Sequence, residues 1–314
     1  MPTHDRVLRR KRRAENFPVA LRLLPRQLRA DLVAVYDVAR TIDDLGDAAV
    51  GDRTALLTEF GADLAAVWAA GRPAHPVLQR LVPAVQARGL DREPFERLVQ
   101  ANLIDQRVSR YATYAQLREY CVLSAEPVGR IVLDVFGVRS PAAIELSDRI
   151  CAALQLIEHW QDVAEDRRAD RVYLPQEDLA AFGVAEVELD GTVASPTLRR
   201  LMAFQTTRSA DLLDSGAPLI GLLNGWARLA VAGYLAGGRA ALDALRRVDG
   251  DVLGGAPLPR RRDVLRHLLG LLREGNDAGA PELDSRAVRR RSNNSAVELG
   301  RGRAVGRSGG GRVT

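Results

Sequence analysis

The stretch Leu28–Asp47, LRADLVAVYDVARTIDDLGD, decides how the chain is read. Leu28, Leu32, Val35, Tyr36, Ala39, Ile42 and Asp43 repeat with the helical period, so one face is apolar until it ends in three aspartates. Asp43 and Asp47 lie four residues apart and project from the same side of that helix, with Asp44 beside them. More than a hundred residues later Asp162-Val163-Ala164-Glu165-Asp166 follows the apolar run Ala153-Leu154-Gln155-Leu156-Ile157 and repeats the spacing. Two carboxylates about 6 Å apart at an effective dielectric near 20 repel by roughly 3 kcal/mol. On a solvated face that cost fades, but an apolar surround makes it matter, and a bound cation removes it.

The same periodicity runs through the rest of the chain. Leu56, Phe60, Leu64 and Val67 form one further face, and helices are predicted near 76–87, 92–109, 114–136, 141–167, 196–214, 217–248 and 260–274. Pro127, after Ser124-Ala125-Glu126, predicts a kink or break in the 114–136 stretch. Gly71-Arg72-Pro73, Gly89-Leu90-Asp91 and Gly254-Gly255-Ala256-Pro257 punctuate the pattern, and no alternating strands stand out. The expected fold class is all-α. Pro218–Gly238 has the length of a membrane span, but Asn224, Arg228 and its Ala and Gly content predict a buried helix instead.

Composition narrows the function. With 314 residues, 46% of them hydrophobic, the chain can bury a large core. Its net charge of +5 is misleading, because residues 1–13 carry six basic side chains and one acid, and residues 275–314 carry eight arginines and four acids. The body is therefore acidic, which argues against nucleic acid as a partner. The expected organisation is a basic disordered N-terminus at 1–14, a helical domain at 15–274 and a disordered Arg/Gly-rich tail at 275–314. The basic ends suit weak attraction to anionic membrane surfaces. Cys121 and Cys151 both fall in apolar helical runs and are expected as buried free thiols in a cytoplasmic protein.

The donor set points to Mg²⁺ or Mn²⁺, since the clusters offer hard oxygen ligands and no local Cys or His. A dinuclear carboxylate bundle needs Glu-x-x-His pairs, and none of the four histidines has a glutamate three residues before it. Arg40 lies one turn before Asp44, and Tyr36 one turn before Arg40; the arginine can grip phosphate oxygens or simply pair with Asp43 or Asp44. Arg171-Val172-Tyr173-Leu174-Pro175 follows the second cluster and can either close over a diphosphate or form a plain turn. Gly300-Arg301-Gly302 begins like a nucleotide-binding fingerprint, but the third glycine comes a residue late and no strand precedes it, so no nucleotide cofactor is expected.

Taken together, four segments resemble the squalene/phytoene synthase family, in particular its bacterial hopanoid-pathway enzymes of the hydroxysqualene synthase type. They are Glu15–Ala20 with Leu23-Leu24-Pro25, Tyr36–Asp47, Tyr120–Gly129, and Gln161–Asp166 with Arg171–Pro175. The likeness covers roughly residues 15 to 265. It implies an isoprenoid-synthase helical bundle with a central apolar cavity, its two aspartate helices holding Mg²⁺ on an isoprenoid diphosphate. Carried over by position, Asp43, Asp44, Asp47, Asp162 and Asp166 look like metal ligands; Arg40, Tyr36, Arg171 and Tyr173 meet the diphosphate; and Tyr120 stands near the reacting centre.

Two positions depart from the pattern: Glu158 and Glu126 stand where the family has Asn. Glu158 joins Asp162 and Asp166 in an acidic i, i+4, i+8 stripe, which either tightens metal binding or keeps one carboxyl protonated. The implied reaction is conversion of presqualene diphosphate to hydroxysqualene. Condensation of farnesyl diphosphate to presqualene diphosphate or squalene, phytoene or dehydrosqualene synthesis, and a non-enzymatic lipid- or partner-binding role are the alternatives. Tyr36, Phe136 and Trp160 are candidate faces for a carbocation, or core residues.

Overall fold

The longest helices of the protein are those whose sequence buries one face completely, and in the computed structural model they set the architecture. The structure describes residues 24–69 and 72–277, with side chains to 273, so the expected end at 1–14, the expected tail at 275–314 apart from its first three residues (which continue the last helix), the segment Glu15–Leu23 and the turn residue Gly71 lie outside the described residues. Met1–Gly275 forms one compact unit; of the second, Asn276–Thr314, only Asn276 and Asp277 are described, as the end of the last helix. In order the helices are α1 (Arg26–Asp47), α2 (Arg53–Ala65), α3 (Pro76–Arg88), α4 (Glu93–Asp105), α5 (Tyr114–Ser124), α6 (Glu126–Val135) and α7 (Pro141–Gln161). They continue with α8 (Val163–Arg168), α9 (Gln176–Phe182), a 3₁₀ turn (Glu186–Asp190), α10 (Pro196–Gly216), α11 (Leu219–Leu222), α12 (Gly225–Arg247) and α13 (Arg261–Asp277). The described residues contain no strand, only an isolated bridge between Arg110 and Val172. The all-α expectation holds.

Local chemistry explains the boundaries. Asp52, Thr113, Ser140 and Ser195 each accept a hydrogen bond from a backbone N–H in the first turn of α2, α5, α7 and α10. Pro141 and Pro196 follow two of these caps, where a missing N–H costs nothing. Gly89, at φ +62°, ends α3 in the left-handed conformation. The break expected near Pro127 falls at Ala125, which places the proline in the first turn of α6.

Three boundaries differ from the periodicity. The predicted 92–109 helix stops at Asp105, and residues 109–112 instead pair with the segment after the second acidic cluster: Ser109 accepts from Val172 N–H and Tyr111 from Gln176 N–H. The 217–248 stretch breaks before Asn224, with Gly225 at φ +54°. The 141–167 stretch breaks at Asp162 itself, between α7 and α8.

α7 is the central element. It packs on α6, α10 and α12, and Ala152, Ala153, Leu156, Ile157 and Trp160 along it are all buried. The Trp160 indole donates to Ser209 Oγ on α10 at 2.8 Å, so this ring is core and not a face for substrate. A second apolar cluster gathers α1, α2 and α3 with parts of α4 and α6, and Phe136 packs against both clusters. Cys121 and Cys151 are free thiols, Cys121 buried and Cys151 partly so. Among the described residues no helix is long and apolar enough to cross a membrane.

Gly216 marks where α10 comes closest to α7. A Cβ there would lie 2.8 Å from the Leu146 carbonyl oxygen and 2.6 Å from Ile150 Cγ1. Backbone cannot yield as a side-chain tip can, so Gly216→Ala should lower stability by about 1–3 kcal/mol, read as a lower urea midpoint.

Candidate active site

Two helices end in carboxylates at one place, and a third ends at a second acidic segment. α1 brings Asp43, Asp44 and Asp47 in its last turn, α4 brings Asp105 as its last residue, and α7 ends against Asp162. The C-terminus of a helix carries partial negative charge, so each of these carboxylates meets an unfavourable dipole as well as its neighbours. Neither α1 nor α4 has a basic residue in its last turn, and the only one in α7 is His159.

The α1–α4 contact is made by side chains the periodicity does not single out. Asn102 Nδ2 donates to Asp43 Oδ1 at 3.4 Å, and Gln106 Nε2 donates to the Gly46 carbonyl at 3.1 Å. Gly46 permits the approach, because a Cβ there would collide with Asn102 Oδ1. The glycine inside the first acidic cluster is therefore a packing residue for the carboxylate beside it. Burial pushes the Asp43 carboxyl up to about 6, helped by Asp47 and Asp44 and opposed by Asn102 and Arg40. Arg40 Nε lies 3.4 Å from Asp44 Oδ1, an ion pair along the helix.

Arg171 joins the two clusters. Its Nη1 lies 2.9 Å from Asp47 Oδ1, and its backbone N–H donates to the Asp166 carbonyl at 2.9 Å. Its positive charge also reaches the carboxyls of Asp105 and Asp166. Asp166 is nonetheless pushed up to about 7, first by burial and then by Asp162. Asp162 is raised for the same first reason, with Glu165 adding to it. Glu158 is exposed and adds to the repulsion on Asp166.

The second cluster is not the continuous helical stripe that its spacing predicts. Asp162 leaves the helical conformation, at φ −101° and ψ 11°. Backbone bonds from Asp162 N–H to the Glu158 carbonyl (3.0 Å) and from Asp166 N–H to the Asp162 carbonyl (2.8 Å) still carry the turn across the break. The rod that the spacing assumes is hinged at Asp162.

Behind the acids lies a group of rings. His159 stacks on Tyr173 with centroids 3.7 Å apart and planes at 12°; Tyr173 lies 5.9 Å from Tyr111 and 6.1 Å from Tyr120. The Tyr120 hydroxyl donates to Asp105 Oδ2 at 2.5 Å. Burial pushes the phenols of Tyr111, Tyr120 and Tyr173 up, and it pushes His159 down to about 3. All four rings are neutral near pH 7. Tyr36 is half-buried on α1, one turn before Arg40. Glu126 is buried and faces Arg118 at 3.4 Å and Arg130 at 3.9 Å, so its charge is answered by arginines.

Among the described residues no three acidic, His or Cys side chains converge closely enough to hold a metal ion. Asp47 is already paired with Arg171. The donors nevertheless fit a hard divalent cation: they are carboxylates, Asp43, Asp105 and Asp166 are half-buried and raised, and the Asp105 Oδ1 atom is buried without a hydrogen-bond partner. A narrow cleft with room for about one water molecule lies here, lined by His159, Val163, Asp166, Arg171, Tyr173 and Leu174 among others.

The profile of the squalene/phytoene synthases matches residues 10–265. The chain belongs to the squalene/phytoene synthase family. It is 35% identical over 209 residues to a hydroxysqualene synthase of Rhodopseudomonas palustris, covering 66% of this chain and 70% of that one. It is 32% identical over 211 residues to a phytoene synthase of Mycobacterium tuberculosis, covering 66% and 69%. Among solved structures, squalene synthase HpnC from Alicyclobacillus acidocaldarius superposes with a TM-score of 0.72 at 36% identity, covering 79% of this chain and 94% of that one. The isoprenoid-synthase helical fold expected from the motifs is the fold observed.

Asp105, Asn102, Gln106, Tyr111 and His159 complete the site here, and the motifs single out none of the five. A third helix ending in a carboxylate, with Asn102 and Gln106 one turn apart beside it, is the signal the sequence holds for them.

Two outcomes follow from this geometry. Gly46→Ala should displace Asn102 from Asp43, lowering turnover about tenfold or more while costing less than about 2 kcal/mol of stability. The second concerns pH. Asp43, Asp105 and Asp166 have folded pKa values of about 6, 6 and 7 against 3.8 as the ordinary value, so the folded state binds more protons through that window. Stability in chelator should therefore rise as pH falls from about 8 to about 5.5, the reverse of the usual salt-bridged carboxylate. A melting temperature that falls over this range would contradict the raised values.

Proposed function

We propose that the protein ionises presqualene diphosphate and lets water capture the rearranged cation, giving hydroxysqualene. The observation that carries this reading is the pair of aspartate clusters joined through Arg171 over a group of neutral aromatic rings. The likeness to hydroxysqualene synthases of Rhodopseudomonas palustris and Zymomonas mobilis, at 35% and 34% identity, supports the choice of product.

Asp43, Asp47, Asp162 and Asp166, with Asp44 and Glu158 at the edge, would hold Mg²⁺, which when bound neutralises the departing diphosphate as a Lewis acid. Arg171 turns from Asp47 to the phosphate oxygens, and Arg40 does the same from Asp44; a planar guanidinium suits both partners. The C–O bond breaks with its electron pair on diphosphate. Tyr173, Tyr120 and Tyr111 then present ring faces that favour positive charge by about 0.5–2 kcal/mol each. Because these phenols and His159 are neutral, they add no opposing cation, and the phenols are poorer nucleophiles than phenolates would be. Water bonds to the carbocation and loses a proton, and no reductant enters.

Formation of presqualene diphosphate from two farnesyl diphosphates is the second reading. The 33% identity over 176 residues to a presqualene diphosphate synthase of Rhodopseudomonas palustris favours it.

The test supplies purified protein and Mg²⁺ with either farnesyl diphosphate or presqualene diphosphate, without reductant, and identifies products by mass spectrometry. Hydroxysqualene from presqualene diphosphate alone is the expected result. Presqualene diphosphate made from farnesyl diphosphate would replace this reading with the second. Asp162→Ala should lower turnover at least about a hundredfold with unchanged helical circular dichroism; an active variant would contradict the assigned role.

A further inference from the structure

α13 has an outer face that the core does not use. Asp263 and Leu271 are buried on its inner side, with Val264 and Leu268 partly so. Facing outward at a four-residue spacing are Arg261, Leu265, Leu269 and Arg273, with Leu265 56% and Leu269 45% exposed. Leu258, in the turn before the helix, is 73% exposed. The far end of α13 is tied to the α11–α12 junction, because the Arg228 guanidinium donates to the Leu272 carbonyl at 3.1 Å. That junction presents Leu222 at 52% and Trp226 at 38% exposure. Among the described residues, five of the ten exposed large apolar side chains thus lie on α13, the turn before it and the α11–α12 junction.

Cations flank the same face. Arg246, Arg247, Arg260, Arg262 and Arg266 line an open depression of about 700 Å³ with Asp243 and Asp263. The acids lie beneath: Asp263 is buried, Arg247 reaches it at 3.3 Å, and Arg266 reaches Asp243 at 2.7 Å. The arginines are exposed above them, and Arg260 and Arg261 have no acidic partner among the described residues. Positive charge therefore exceeds negative on the outside.

We propose that this face, with α13 lying flat, docks on an anionic lipid surface. Exposed leucines and a tryptophan flanked by arginines match an interfacial helix, whose apolar side chains enter the headgroup boundary while its cations meet lipid phosphates. A second copy of the chain fits poorly, since it would bring two arginine rims together. A free anion could use the arginines but would leave the leucines and Trp226 in water. The surface stands on its own geometry, whichever reaction the active site performs.

The experiment uses the full chain with vesicles of phosphatidylcholine, alone or with about one third phosphatidylglycerol. Cosedimentation is read together with quenching of tryptophan by brominated lipid. Trp160 is fully buried and Trp68 partly so with its indole bonded to the Leu90 carbonyl, and the basic ends contain no tryptophan, so quenching reports Trp226. Trp226→Phe should remove it. Binding is expected to the anionic vesicles, with quenching. Leu265→Ser/Leu269→Ser and, separately, Arg260→Ala/Arg261→Ala/Arg262→Ala should each weaken binding about tenfold or more, with turnover in detergent unchanged. Equal binding to neutral vesicles would overturn the proposal, as would binding without quenching that neither variant alters, which assigns adhesion to the basic ends. Self-association abolished by Leu265→Ser/Leu269→Ser, with no vesicle binding, would give the face to a second copy instead.

Discussion

Repulsion within two acidic groups, one at the ends of α1 and α4 and one at the α7–α8 junction, is the constraint around which this molecule is built. Asp43, Asp105 and Asp166 are all raised by burial, and each is surrounded by further acids. A protein selected only for stability would place cations at those helix ends. Here the two apolar clusters hold the helices in place, and the ion pair between Arg171 and Asp47 spans the gap between the two acidic segments. The unfavourable charge is concentrated where a bound cation would relieve it, which is the usual relation between strain and function.

The support behind the acids is made by ordinary packing devices. Gly46 lets Asn102 reach Asp43, Tyr120 holds one oxygen of Asp105, and Tyr173 stacks on a neutral His159. None of these is a charge, so none cancels the acidity of the site. The loop at 109–112 runs beside 172–177, which brings Tyr111 against Tyr173 and keeps Arg171 facing Asp47. The short α8 adds to this: by breaking the helix at Asp162 it turns the chain so that Arg171 returns to the acid cluster.

Much of this was legible from residue order. The helical period of Leu28–Asp47, the four-residue spacing of each aspartate pair and the turn chemistry around Pro127 and Gly89 are local facts, and the fold follows them. The motifs also named the family that the profile match and the relatives show. Trp160 was different: position alone, two residues before Asp162, could not sort it into core or site, and its bond to Ser209, far along the chain, placed it in the core. Glu126 was likewise settled only by Arg118 and Arg130.

By itself the sequence determined which faces are apolar, where helices start and where carboxylates must share a side, because propensity, capping and period act over a few residues. Only the tertiary structure decided that α4 contributes Asp105, Asn102 and Gln106, that Asp162 sits at a hinge, and that Arg171 pairs with Asp47. Those outcomes depend on which helix end meets which, and contacts across 59 or 60 positions leave no local periodic trace.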